Sequence, residues 1–497
     1  MNRIRWALST AAFAIHLAVA GRYDFFRDEL YFISCGRHPA FGYADQTPLV
    51  PLLAAATQLF GERLWLLRAV AALGAFGAVW FACKCVELFE AGPAGVVLAG
   101  VAAATAPMYL GISTTLNTSS FEAAAWAAIA YFIARAVVLG ETRAFFWAGL
   151  VAGLDLEAKY ELPLRLLPLL LALVLTGKGR ALLRRHALLG AALAAALAAP
   201  SLAWQLTHHL PFLELVRAGA AGKNTVVPAG AFLLNQVRVM NPVYALLALA
   251  GLAAPFLDRR LARWRFLALG SALATVAVVA LHGKDYYLAP AYGPAFALGA
   301  AALDRWIRPA WVKLAPLVPA LAMSAVAAPI AMPILEPAQL AAYMRAIGLA
   351  PRSGENLDQS DIPQTFADEL GWRELAQSVA AAVRTLPPED QQRAVILGRN
   401  YGESGALDFY GKALGLPPVI GRHNQYWYWG PGRYDGSVLI LINWKPESVK
   451  ATDCTEVRSI GHFGTPHAMP YEAGSITLCR GLRRPLPEVW AELKLII

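Results

Sequence analysis

Two adjacent carboxylates beside an arginine stand in Tyr23-Asp24-Phe25-Phe26-Arg27-Asp28-Glu29-Leu30-Tyr31, and a third acid follows in Gly42-Tyr43-Ala44-Asp45-Gln46-Thr47-Pro48-Leu49. Carboxylates suit proton transfer or the holding of a hard cation through oxygen. Glu122 opens another apolar run. Asp28, Glu29, Asp45 and Glu122 could hold a divalent metal between them, although no spacing demands one. Plainer roles stand beside these. Acidic residues here could cap a juxtamembrane helix, with Asp28 at its N-cap for example, and Glu122 could sit at a helix N-terminus for its dipole. Scarce basic residues near the membrane, Lys159 and Lys284 among them, could snorkel to headgroups. Tyr286 and Tyr287 could form an interfacial belt or line a pocket. His208-His209 suits an interface better than a metal.

These residues need a membrane body to position them. Of the 497 residues 57% are hydrophobic and only 15% are charged, against about 25% charged in soluble domains. Mean hydropathy is +0.46. An ordinary cytosolic enzyme and a disordered chain are thereby excluded. Residues 1–333 hold 43 charged side chains (13%) and residues 334–497 hold 34 (21%). The division predicts a membrane domain over 1–333, with a first loop over about 22–62, and a soluble domain over 334–497. Apolar runs near 6–21, 64–83, 93–111, 122–139, 144–158, 162–177, 187–206, 241–257, 264–281, 286–303 and 311–333 predict about 11 transmembrane helices. The first is read as a retained helix rather than a cleaved signal.

Lys and Arg in alternate loops place the N-terminus in the cytoplasm and the C-terminal domain outside it, as expected of a multi-pass protein of a cell's inner (plasma) membrane. The formal net charge of +9 is thus a topological signal and does not suggest nucleic acid. The C-terminal domain reads as a small α/β fold. Phe366–Leu386 and Gly405–Leu414 suit helices, and Ala394–Leu397 and Val438–Ile442 suit strands. Its two cysteines, Cys454 and Cys479, suit a disulfide in an oxidising compartment. Tyr426-Trp427-Tyr428-Trp429 could stack on a sugar or pack against a neighbour.

Asp28-Glu29-Leu30-Tyr31 and Gly42-Tyr43-x-Asp45-x-x-Pro48-Leu49, with Phe121-Glu122, Lys159-Tyr160, Lys284-Asp285-Tyr286-Tyr287 and Asn400-Tyr401-Gly402-Glu403 in order, resemble a bacterial branch of glycosyltransferase family 39. That family belongs to the GT-C superfamily and contains the protein O-mannosyltransferases and the lipid A aminoarabinose transferases. The resemblance implies a GT-C fold and transfer of a sugar from a polyprenyl-phosphate donor on the extracytoplasmic face, with inversion. It implies Asp28 as the base and Glu29 as its partner. Asp45 and Glu122 become supporting acids, and Tyr31, Tyr286 and Tyr287 substrate-lining residues. Lys159, Lys284 and Arg27 would meet the donor phosphate. The acceptor could be a lipid, a polysaccharide or a protein, reacting through a hydroxyl or a phosphate. The sequence departs from the aminoarabinose transferases at Leu30-Tyr31 and at Asp45-Gln46-Thr47-Pro48, where those proteins tend to carry an arginine and a lysine. A secondary transporter and a non-catalytic GT-C-like scaffold are the competing readings. No inverted repeat favours the transporter.

Overall fold

The computed structural model describes residues 1–223, 225–351, 355–356, 358–449 and 453–497. They form two compact units. The first comprises Met1–Gly21, Trp65–Leu202 and Val226–Ile334. The second comprises Arg22–Leu64, Ala203–Thr225 and Leu335–Ile497.

The first unit is helical, and each of the eleven apolar runs lies in helix. Four helices are long and apolar enough to cross a membrane singly: Leu64–Leu88, Arg185–Thr207, Ala262–Ala280 and Ala310–Ala331. The pair Ala229–Met240 and Pro242–Leu257, bent by 110°, makes a fifth if counted as one span. The expected count of eleven is therefore not reached by this measure, and length is one reason. Ala144–Ala158 has 15 residues, about 22 Å at 1.5 Å per residue, short of a hydrocarbon core of about 30 Å. The run 93–111 is divided, because Pro107 forces Ala106 out of the helical region (ψ 127°) between Pro93–Thr105 and Pro107–Ile112. Helices approach closely where side chains vanish. A Cβ added to Gly299 would lie 1.9 Å from the Leu247 carbonyl oxygen, and one on Gly251 2.2 Å from that of Ala295. These glycines hold Pro242–Leu257 against Ala289–Trp306.

The second unit contains a five-stranded sheet of order β2-β1-β3-β5-β4. Its strands are β1 (Ala394–Gly398), β2 (Val419–Gly421), β3 (Val438–Ile442), β4 (Cys454–Phe463) and β5 (Gly474–Leu482). β2, β1 and β3 run parallel, and β5 is antiparallel to both β3 and β4. β1 and β3 are buried at every position, as their unbroken apolar runs require. Cys454 and Cys479 are disulfide-bonded. The helices Trp372–Arg384 and Tyr401–Leu414 occupy the regions read as helical. Segment 22–62, read as a loop of the membrane body, instead contains two helices, Arg27–Arg37 and Leu49–Gln58, within the second unit. Two acids in the first turn of Arg27–Arg37 favour that helix through its dipole.

Candidate functional site

In the second unit the acids of the first segment have separate fates. Glu29 is fully buried, and its carboxylate accepts the Phe26 N–H at 2.8 Å, closing the helix N-terminus. The capping carboxylate is thus that of Glu29, and Asp28, the N-cap candidate in the sequence, lies within the first turn of a helix whose N-cap is Phe26. Asp28, one residue earlier, keeps 30% of its side chain exposed. Its Oδ1 accepts the Tyr401 hydroxyl at 2.8 Å and lies 3.6 Å from Arg27 Nε. Oδ2 meets no hydrogen-bond donor among the described residues.

Arg27 is enclosed by acceptors and rings. Its Nη2 lies 3.6 Å from Asp368 Oδ2, and its Nη1 donates to the Tyr471 hydroxyl. Tyr471 in turn donates to Asp368 Oδ1 at 2.8 Å. The guanidinium stands 5.2 Å from the centroid of the Tyr401 ring. Arg27, expected to meet a phosphate, is here committed to Asp28 and Asp368. Burial pushes the Asp368 carboxyl up, against the pull of Arg27.

Asp45 is held on both oxygens, by the Tyr31 hydroxyl and by Asn424 Nδ2, each at 2.8 Å. Burial nevertheless raises its pKa to about 6. Tyr31, expected to line substrate, is 2% exposed, and its hydroxyl also accepts the Gln425 N–H at 3.0 Å. Its role in this structure is to anchor Asp45. A further buried acid, Glu403, accepts the Arg399 N–H at 2.7 Å, the Asn400 N–H at 3.2 Å and Asn443 Nδ2 at 2.9 Å. Burial raises its pKa to about 7. Asn400 Nδ2 reaches on to Glu472, whose carboxyl burial pushes well up. His208 stacks on Trp204 with ring centroids 3.9 Å apart.

The first unit holds its own charged cluster. Glu122 is buried, with Oε1 2.7 Å from Arg165 Nη2 and Oε2 3.5 Å from Lys159 Nζ. Lys159 also meets Glu161 at 2.8 Å and donates to Ser119 Oγ at 2.8 Å. Its ammonium stands 4.6 Å from the Tyr286 ring centroid and 5.1 Å from that of Tyr287. The structure brings Glu122, Lys159, Tyr286 and Tyr287 together. Lys284 precedes the short helical turn Asp285–Leu288. Arg165 and Asp155, 3.8 Å apart, escaped the sequence reading. Their signal was visible: Arg165 is the lone charge of the run 162–177 and Asp155 one of two in the run 144–158, and such charges are retained for a reason.

No group of three or more His, Cys, Asp or Glu side chains among the described residues is arranged to hold a metal. The proposed metal quartet is not assembled, since Glu29 closes a helix and Asp45 is bound by Tyr31 and Asn424.

No curated protein sequence matches the chain significantly. The fold is similar to that of ArnT from Cupriavidus metallidurans in two crystal structures. The structure bound to undecaprenyl phosphate gives a TM-score of 0.63 at 13% identity, and the apo structure gives 0.62 at 14%. Each likeness covers 95% of this chain and 97% of the other. Residues 45–204 match the dolichyl-phosphate-mannose-protein mannosyltransferase family, and over nearly its whole length the chain has an ArnT-like fold.

Proposed function

We propose that the protein is a membrane glycosyltransferase that moves a sugar from a polyprenyl-phosphate donor to an acceptor on the extracytoplasmic face, with inversion. One observation carries the assignment of the base: Asp28 has one oxygen held by Tyr401 and the other unengaged, while Glu29 beside it is buried and spent. In the proposed step the acceptor hydroxyl oxygen attacks the anomeric carbon as its proton passes to Asp28 Oδ2. The bond from that carbon to the phosphate oxygen breaks, and the polyprenyl phosphate leaves with the electron pair. The lipid-phosphate class is supported by the likeness to ArnT, solved with undecaprenyl phosphate. The family matched over 45–204 supports sugar transfer.

The reading includes the eleven-span topology, the division near residue 333, and Lys159 and Lys284 as cations for the donor phosphate. For Lys159 a phosphate would replace Glu161, the more exposed of its two carboxylate partners. The test is Asp28→Asn in membranes supplied with labelled polyprenyl-phosphate sugar. Transfer should fall by about 10²–10⁴-fold, the range for loss of a general base. Transfer at the wild-type rate would end the assignment.

A further inference from the structure

We propose that Tyr401, 373 residues beyond Asp28, is the positioning residue of the base: it holds Asp28 Oδ1 so that Oδ2 is offered to the acceptor. The inference rests on the reading of Asp28 as base. It adds that the segment after residue 334 supplies part of the active site itself, where the sequence suggested only an aromatic cluster that could stack on a sugar or pack against a neighbour.

The hydroxyl of Tyr401 is placed from several sides. Tyr401 is the first residue of the helix Tyr401–Leu414, whose start is fixed by reciprocal bonds. The Asn400 side chain accepts the Glu403 N–H at 2.9 Å, and the Glu403 carboxylate accepts the Asn400 N–H. The ring is 9% exposed and packs 4.7 Å from the Tyr31 ring and 5.0 Å from the His423 ring, centroid to centroid. The next residue, Gly402, leaves room for Arg27, since an added Cβ would lie 2.4 Å from Arg27 Cγ. At Gly405 the approach is looser but still tight, with a would-be Cβ 3.2 Å from Leu30 C and Tyr31 N. The helix bearing Tyr401 is thus pressed against the helix bearing Asp28.

A phenol has one proton to donate, and this one goes to Oδ1 at 2.8 Å. The bond fixes the carboxylate plane. When Oδ2 takes the acceptor proton, Oδ1 remains bonded to Tyr401, and no protein group has to move. Tyr401 touches neither sugar nor acceptor in this scheme.

The experiment compares wild type, Tyr401→Phe, Asp28→Asn and the double variant as full-length protein, with transfer from labelled polyprenyl-phosphate sugar measured. Tyr401→Phe keeps the ring packing and removes only the hydroxyl. Its kcat should drop at least about 10-fold with KM changed less than about 2-fold. A structural role alone would lower the folded fraction and leave kcat per folded molecule in place. Adding Tyr401→Phe to Asp28→Asn should cost nothing further, and independent, additive losses would overturn the proposal. An Asp28→Asn variant that loses transfer while Tyr401→Phe keeps wild-type kcat would overturn the role of Tyr401 and leave the base assignment standing. Wild-type transfer by Asp28→Asn would remove both. Should Tyr401→Phe fold poorly, as shown by its thermal unfolding, kcat and KM per folded molecule decide in the same way.

Discussion

Glu403 shows how burial and hydrogen bonding compete on one carboxylate. Three N–H groups reach it and favour the charge, yet burial prevails and its pKa rises to about 7. The folded state then holds a proton that the unfolded chain, with an ordinary Glu near 4.3, has released. The stability this contributes is complete below about pH 4.3 and is lost as pH rises through about 7. Asp45 and Asp408, both raised to about 6, act in the same direction. Hydrogen exchange of the helix Tyr401–Leu414, corrected for intrinsic rate, should therefore show weaker protection at pH 8 than at pH 5. Glu403→Gln should shrink that difference, and an unchanged difference would show that Glu403 is not its source. Arg165 makes the opposite case, a buried cation with buried acids around it. Arg165→Ala would take the nearest cation from buried Asp155 and leave Glu122 with Lys159 as its partner, at a cost of about 3–5 kcal/mol. The expected outcome is a marked loss of folded protein in detergent, read by size-exclusion chromatography. Asp28 and Glu29 could be picked out together from the sequence, but their division of labour could not. Successive helical residues point about 100° apart, and which direction is solvent depends on packing set by distant segments.

Among the elements, the helix pair Pro242–Leu257 and Ala289–Trp306 depends on two missing side chains. With less than 2.5 Å between a would-be Cβ and a carbonyl oxygen at Gly251 and Gly299, either Gly→Ala change must push the helices apart. Thermal unfolding in detergent should fall by several degrees for Gly299→Ala. Gly21→Ala, where an added Cβ meets nothing within 4 Å, is the control and should leave it unchanged. The strands β1 and β3 were legible because each is a short, wholly apolar run. The helix Tyr401–Leu414 was legible from Gly405 onward, and its first turn was missed because the Asn400–Glu403 cap reads as polar loop. The run 93–111 was read as one span in spite of Pro107, since hydropathy over a window does not register a single lost N–H. Arg165 was absorbed into the apolar run 162–177 for the same reason.

At the scale of the whole molecule, the basic loops and the Cys454–Cys479 disulfide lead to the same expectation. A reporter active only in the cytoplasm, fused after Ile497, should stay silent, and a bright fusion would refute the orientation. The membrane body was legible from composition alone. The second unit was legible only in part, because no local pattern announces that 22–64 and 203–225 pack with 335–497. That interleaving sets a clock on biosynthesis. At roughly 5–20 residues per second, Tyr401 leaves the ribosome about 20–75 s after Asp28, given their separation of 373 residues. Through that interval Asp28 is already made and its hydroxyl donor does not yet exist. On the positioning role inferred for Tyr401, a chain arrested before residue 401 would reach the membrane without a set base. The nascent protein would thus be kept inert towards lipid-linked sugar until synthesis is nearly finished.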